Sequence, residues 1–146
     1  MKMKIVSEFQ PFEDALKIDE SFTIEAMVRL FVKYPQIHHL CIMDPEAHLK
    51  GLIDRKRLFK AIFSHHVSES SRIHELFTLL TSESAADLMI RHVLTVSPDD
   101  SIDSVIETMI RENIYEMPVV DEQKKVLGFL SSAMILKEWL SEQKGS

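Results

Sequence analysis

The stretch that decides the fold lies near the carboxyl end of the chain. It reads MPVV at residues 117–120 and VLGFL at residues 126–130, with the polar residues DEQK directly after the first run. Two short apolar runs on either side of a turn-forming segment are typical of two adjacent β-strands joined by a turn. A second helix is predicted directly after these strands, from about Ser132 to Glu142.

A helix is also predicted before this strand pair. Its apolar residues are spaced i, i+3, i+4 and i+7, which places them on one face of a helix: Ile102, Val105, Ile106 and Met109. Thr95 and Val96 precede this helix and predict a first strand. The unit is therefore β-α-β-β-α.

The chain contains this unit twice. Asp44 and Gly51 lie 77 residues before Asp121 and Gly128, and apolar runs at 40–43 and 49–53 precede a helix predicted at 55–63. The helix of the first copy has the same apolar spacing: Ile24, Met27, Val28 and Phe31. We therefore predict repeat 1 at residues 1–63, a connector at 64–84 and repeat 2 at 85–146.

One repeat is too small to bury a core alone, so we expect an α/β fold in which the two repeats pack sheet to sheet with pseudo-twofold symmetry. The connector should contain a helix, because Ile73, Leu76, Phe77 and Leu80 are again at helical spacing. Ser84 to Asp87 has the form of a capping box that opens the next helix.

Composition excludes several classes of protein. The chain has 146 residues and is 45% apolar, which favours a folded domain, and its net charge of −6 argues against binding nucleic acid or anionic lipid. Cys41 is the only cysteine, so no internal disulfide is possible. The amino terminus has no apolar signal segment and no apolar run approaches the roughly 20 residues of a spanning helix, so we expect a cytoplasmic protein.

Motifs that carry catalysis are missing from the sequence. Three glycines are too few for a glycine-rich dinucleotide or phosphate loop. The histidines do not complete a metal motif, because His74-Glu75 has no second histidine four residues after the first. Cys41 lies in an apolar run and is expected to be a small buried hydrophobe. We predict no metal site and no enzyme.

The second repeat resembles a CBS domain. The resemblance rests on three segments in order: residues 86–102 (ADLMIRHVLTVSPDDSI), 114–121 (IYEMPVVD) and 126–131 (VLGFLS). The first repeat is a weaker example, and together the two resemble a tandem CBS pair. The resemblance implies a regulatory module, dimerised into a disc, whose two clefts bind adenosine-containing ligands such as AMP, ADP or ATP. With no enzyme attached, a stand-alone module of this kind would signal to a separate protein partner and would require no cofactor.

Family positions in the second repeat predict a base slot. The residues are Thr95, Val96, Tyr115, Met117 and Pro118; a role in the strand core is the alternative for Val96, Met117 and Pro118. Ser131, where the last strand meets the last helix, is predicted to hold an anion with the free N–H groups of the first turn, or simply to cap the helix. The family's ribose-binding Asp is replaced by Met134. This weakens the prediction that the second repeat binds a nucleotide, because a thioether cannot accept hydrogen bonds from the two ribose hydroxyls.

The matching run of the first repeat is Asp54, Arg55, Lys56 and Arg57, with Arg57 at the ribose position. Three cations in a first helical turn oppose the helix dipole and so suggest an anion site. The alternative is that Arg57 pairs with Asp54. Two functions remain open: a sensor of a small anionic ligand, including an adenine nucleotide, and a degenerate module that acts as a dimerisation or protein-binding scaffold.

Overall fold

The computed structural model describes residues 4–64 and 83–145, which form two compact units. The first-repeat unit contains residues 16–64 and 83–93, and the second-repeat unit contains residues 4–15 and 94–145. The predicted connector helix at Ile73–Leu80 and the histidines His65, His66 and His74 lie outside the described residues. Within the described ranges, no helix has both the length and the apolar content needed to span a membrane.

The first-repeat unit has the predicted β-α-β-β-α order over residues 16–63, and it also contains the helix at 85–88 that the sequence assigned to repeat 2. Its elements are β1 (Leu16–Asp19), α1 (Ile24–Lys33), β2 (His39–Met43), β3 (Leu49–Asp54), α2 (Arg55–Phe63) and the short helix α3 (Ala85–Leu88). β2 lies in the centre of the sheet, parallel to β1 and antiparallel to β3. The predicted bounds of α2 are confirmed, and so is the capping box, since the Asp87 carboxylate accepts the Ser84 backbone N–H at 3.3 Å.

The second-repeat unit differs from the prediction in one strand. It contains a 3-10 helix (Val6–Phe9), α4 (Ile102–Glu112), β4 (Glu116–Val120), β5 (Val126–Ser131) and α5 (Ser132–Lys144). β4 and β5 are antiparallel, as expected. The strand predicted at Thr95–Val96 is only a single parallel bridge between Val96 and Val119, because Pro98 and the turn at Ser97–Asp100 follow at once.

Each unit has its own apolar core, formed by the helical face that the sequence spacing predicts. In the first-repeat unit Met27 and Phe31 of α1 are buried with Leu40, Ile42 and Ile53 of the sheet. In the second-repeat unit Ile102, Val105 and Met109 of α4 are buried with other apolar side chains: Val6, Phe9, Val96, Met117, Val119, Leu130 and Ile135. Cys41 is fully buried, as expected for a small apolar side chain.

The segment that leads into each repeat packs in the unit of the other repeat. Residues 4–15, which the sequence assigned to repeat 1, pair with the second repeat: Glu13 exchanges two backbone hydrogen bonds with Phe129, at 3.0 and 2.8 Å. Residues 83–93, which the sequence assigned to the end of the connector and the start of repeat 2, pair with the first repeat: Ile90 and Leu52 exchange two backbone hydrogen bonds, at 3.0 and 2.8 Å. Glu13 and Ile90 are 77 residues apart, so the two lead-in segments are equivalent.

Candidate functional site

The start of α5 is the centre of the predicted site in the second-repeat unit. Ser131 is the N-cap of this helix, and its hydroxyl oxygen accepts the backbone N–H of Met134 at 3.4 Å. The side chain of Ser131 is almost fully buried, with 6% of the residue exposed. Ser131 thus fulfils the capping role that the sequence left as the alternative to anion binding.

Backbone hydrogen bonds place Tyr115, one of the predicted base-slot residues, at this helix start and join two others, Val96 and Pro118, to each other. The Val96 N–H donates to the Pro118 carbonyl at 3.0 Å, and the Ser132 N–H donates to the Tyr115 carbonyl at 2.8 Å. Tyr115 is half exposed and Thr95 is exposed, whereas Val96, Met117 and Pro118 are buried. The two exposed side chains are therefore available to a ligand, and the three buried ones belong to the core around it.

Glu13 is a site residue that the sequence reasoning missed. Its carboxylate oxygen Oε1 accepts a hydrogen bond from the Ser131 hydroxyl, although the two residues are 118 positions apart. The backbone pairing of Glu13 with Phe129 sets this contact, since Phe129 is two residues before Ser131 on the same strand. The sequence offered one signal, the 77-residue spacing that makes Glu13 equivalent to Ile90. No residue of the second repeat indicated that residue 13 would pack against it.

Gly128 permits this close approach of the lead-in segment. A Cβ atom at position 128 would lie 2.7 Å from the Glu13 carbonyl oxygen and 2.7 Å from Cβ of Phe12. Its φ of +149° is also a conformation that residues with a Cβ rarely adopt. Glycine at 128 is thus needed for the placement of Glu13.

The start of α2 uses the four predicted residues differently. Asp54 is the N-cap, and its carboxylate accepts the Arg57 backbone N–H at 2.6 Å. We expected the Arg57 side chain to pair with Asp54. Instead, the Arg57 Nε–H donates to the Leu88 carbonyl at the end of α3. Arg57 therefore joins α2 to the lead-in segment.

Arg55 also contacts acceptors of its own unit. Its guanidinium donates to the Pro35 carbonyl at 3.0 Å and lies 2.8 Å from Nδ1 of His38. Lys56 is exposed at the surface of the same turn. The structure thus gives the first-turn arginines a structural explanation that the sequence did not contain, and the anion site predicted there stays a prediction.

The turn between β2 and β3 contains a cluster of possible metal ligands. Asp44, Glu46 and His48 each place a ligand atom within 4.8 Å of the others. One Asp44 oxygen accepts the N–H groups of Glu46 and His48 at 2.9 and 2.8 Å, and the other lies 3.2 Å from Nδ1 of His48. These bonds, first of all the one from the His48 N–H, lower the pKa of Asp44. Asp121 accepts two equivalent backbone bonds in the second repeat, so the arrangement is that of a tight turn.

The outer faces of α2 and α5 expose apolar side chains at equivalent positions. Phe59 and Leu136 are 77 residues apart in sequence, and each is 64% exposed. Three further residues of these helices are at least two-fifths exposed: Phe63, Trp139 and Leu140. Each repeat therefore presents an apolar helical surface at the same place in its fold.

The CBS domain family model matches residues 6–64 and 85–141, which is most of the chain. The chain belongs to the CBS domain family. The two matched segments correspond to the two repeats, so the protein contains a tandem CBS pair.

Solved structures of CBS pairs have the same fold. The CBS domain pair of protein MJ0100, in complex with 5'-methylthioadenosine and S-adenosyl-L-methionine, has a TM-score of 0.73 at 22% identity, covering 96% of this chain and 98% of that one. CBSX2 in complex with AMP has a TM-score of 0.72 at 18% identity, covering 95% and 98%. At these identities the likeness establishes the fold.

Among curated relatives, a homoserine O-acetyltransferase of Methanohalobium evestigatum is 26% identical over 120 residues. The match covers 82% of this chain and 21% of the relative. The chain thus spans about a fifth of the length of that enzyme.

Proposed function

We propose that this CBS pair is a regulatory module that binds a small adenosine-containing ligand, catalyses no reaction, and passes its ligand state to a separate protein. The observation that carries the proposal is the hydrogen bond from the Ser132 N–H, in the first turn of α5, to the carbonyl of the half-exposed Tyr115. A half-exposed aromatic ring offers a stacking surface for adenine, and the helix start offers hydrogen bonds for the sugar end. The ligands of the MJ0100 and CBSX2 structures support this class of compound.

Signalling follows from a difference in affinity. A ligand that binds one arrangement of the module more tightly than another shifts the population toward the first arrangement. A partner protein that contacts only one arrangement then responds to the ligand. No bond of the ligand needs to change.

Ligand-dependent thermal unfolding tests this proposal. Adenosine, 5'-methylthioadenosine, S-adenosylmethionine, AMP, ADP and ATP are each added at millimolar concentration, with guanosine as the control nucleoside. A ligand at a hundred times its Kd stabilises the fold by about 2.7 kcal/mol, which raises the Tm by several degrees. We expect such a rise with at least one adenosine compound and a smaller one in Tyr115→Ala, with Tyr34→Ala as the control. No rise with any adenosine compound would contradict the proposal.

A small anion at the start of α2 is the second ligand that we propose. It is favoured by the three cations of the first turn, Arg55, Lys56 and Arg57, of which Lys56 is exposed. Inorganic phosphate should then raise the Tm of the wild type and not of Lys56→Ala. An equal rise in both would place phosphate elsewhere.

The exposed apolar faces of α2 and α5 favour a second function, assembly as a homodimer that serves as a scaffold. Equivalent apolar surfaces on both repeats suit a symmetric contact with a second copy. Sedimentation equilibrium should show a dimer for the wild type and a monomer for the double variant Phe59→Glu with Leu136→Glu. Val32→Glu on α1, where the valine is 74% exposed, is the control and should remain dimeric. A monomeric wild type would exclude this function.

A further inference from the structure

The Glu13 carboxylate stands where the second-repeat site would hold a phosphate. A phosphate bound at this helix start would take the Ser131 hydroxyl as a donor, together with the free N–H groups of the first turn. In the structure this hydroxyl already donates to Oε1 of Glu13. A ligand phosphate would therefore have to displace a carboxylate or lie beside it.

The backbone holds Glu13 in this position. Two backbone hydrogen bonds tie residue 13 to Phe129, and Gly128 has no side chain to push the segment away. The same segment is anchored again at Lys4, whose Nζ lies 2.6 Å from Oε1 of Glu138 on α5. Moving the carboxylate out of the site thus requires a side-chain rotation of Glu13 at least, while its backbone stays paired.

Met134 is compatible with this arrangement. Its backbone N–H donates to the capping hydroxyl oxygen of Ser131, and its side chain packs against the core of the second-repeat unit. A carboxylate at position 134 would add a second negative charge next to the Glu13–Ser131 pair. The uncharged thioether leaves Glu13 as the one carboxylate in the hydrogen-bonding network that the described residues form at Ser131.

We infer that Glu13 is a specificity-determining residue that selects against phosphate, so that the second-repeat site takes an adenosine compound with no phosphate on its sugar. Two negative groups placed side by side repel each other strongly, whereas a carboxylate accepts hydrogen bonds from neutral sugar hydroxyls. The site therefore binds adenosine or a 5'-thioether of adenosine in preference to AMP and ATP. This inference rests on the proposed binding of adenosine compounds.

Glu13→Gln tests the inference, because the amide keeps an oxygen that accepts the Ser131 hydroxyl and removes only the charge. Binding is followed by NMR of protein labelled with ¹³C at the methionine methyl groups, with the Met134 signal assigned from Met134→Leu. The Met134 signal reports the second-repeat site and so separates it from ligand bound in the first-repeat unit. Adenosine and AMP are titrated separately into wild type, Glu13→Gln and the control Asp14→Asn, which removes a neighbouring exposed charge.

In the wild type we expect AMP to shift the Met134 signal with a Kd at least about tenfold weaker than that of adenosine. In Glu13→Gln the Kd for AMP should fall by about tenfold while that for adenosine changes by less than about threefold. Asp14→Asn should behave as the wild type. Equal affinity for adenosine and AMP, unchanged by Glu13→Gln, would overturn the inference and leave the proposed function standing. Failure of adenosine to shift Met134 in all three proteins would overturn both for this site.

Discussion

The starts of α2 and α5 lie at equivalent positions in the two repeats, but different residues cap the two helices. In the first-repeat unit Asp54 caps the helix with its own carboxylate, and Arg57 crosses to the lead-in segment at Leu88. In the second-repeat unit Ser131 caps the helix, and the lead-in segment supplies the carboxylate of Glu13. A carboxylate therefore lies near the first turn of each helix, where its negative charge interacts favourably with the helix dipole.

This comparison shows that a site in a repeated fold depends on which segment packs beside it. The lead-in segments are equivalent in backbone pairing, yet one brings Glu13 and the other brings Ile90 to the same position next to the last strand. Glu13 places a negative charge beside the start of α5, whereas Ile90 is uncharged. If Glu13 has the role proposed above, the two sites differ in specificity even where their own strands and helices match.

The largest expected loss of stability comes from adding a side chain at Gly128 or Gly51, the two glycines that lie directly against the lead-in segments. Gly128→Ala should lower the free energy of unfolding by about 3 kcal/mol, since the new Cβ overlaps the backbone of Glu13 and strains a positive φ. Gly51→Ala should cost about 1–3 kcal/mol, because its Cβ would meet the flexible Met89 side chain at 2.7 Å and the Ile90 carbonyl at 2.8 Å. Urea unfolding measures both. A larger loss of unfolding free energy for Gly51→Ala than for Gly128→Ala would contradict this prediction.

The two helix caps give the next effect. Asp54→Ala should cost about 1.5 kcal/mol, from the lost cap and the lost charge beside the helix dipole, and Ser131→Ala about 1.5 kcal/mol, from the lost cap and the lost hydrogen bond to Glu13. Asp54→Ser and Ser131→Thr keep a capping oxygen and are the matched controls. Chemical denaturation should show little change for Ser131→Thr. If Asp54→Ser is as unstable as Asp54→Ala, charge rather than capping stabilises α2.

Arg57→Lys tests the contact that links α2 to α3. The substitution keeps the positive charge but removes the Nε–H that donates to the Leu88 carbonyl, so we expect a loss of about 1 kcal/mol. Lys56→Ala, one residue away and exposed, should change stability by less than about 0.5 kcal/mol. Thermal unfolding followed by circular dichroism distinguishes the two. Equal stability of Arg57→Lys and wild type would mean that charge alone is needed at position 57.

The smallest effect is a pH dependence at the turn between β2 and β3. The His48 and Glu46 N–H groups hold the pKa of Asp44 below its ordinary value of 3.8. A carboxylate with a lowered pKa in the folded state stabilises the fold above its unfolded pKa, and this contribution is lost as the pH falls through the lowered value. The Tm of Asp44→Asn should therefore fall less steeply than that of wild type below about pH 4. Parallel curves would show that the turn does not depend on this charge.

Much of the fold could be predicted from the sequence because the repeat occurs twice and its apolar spacing is regular. The helical face of Met27 and Phe31 and that of Val105 and Met109 both lie in the cores that the spacing indicates. The strand at Thr95–Val96 was overestimated. Only Val96 pairs, because the turn that begins at Ser97 interrupts the strand. The sheet-to-sheet packing of the two repeats stays a prediction.

The candidate site was predictable only in part. Tyr115 and Ser131 could be located because they stand at fixed distances from the strand runs around them. Glu13 could not, since 118 residues separate it from Ser131 and only backbone pairing joins them. Likewise, the partner of the Arg57 side chain is the Leu88 carbonyl, 31 residues away, whereas the carboxylate three residues before it accepts only the Arg57 backbone N–H.

The sequence by itself determined the repeated β-α-β-β-α order, the apolar faces and the capping residues, because these depend on spacings of a few residues along one chain segment. The tertiary structure alone decided which lead-in segment lies beside which repeat, and with it the identity of the side chain that meets Ser131. The physical reason is that every residue type except proline offers the same backbone N–H and C=O groups to a distant strand. The pairing of Glu13 with Phe129 therefore leaves little trace in the sequence beyond the glycine at 128, although it determines the charge of the candidate site.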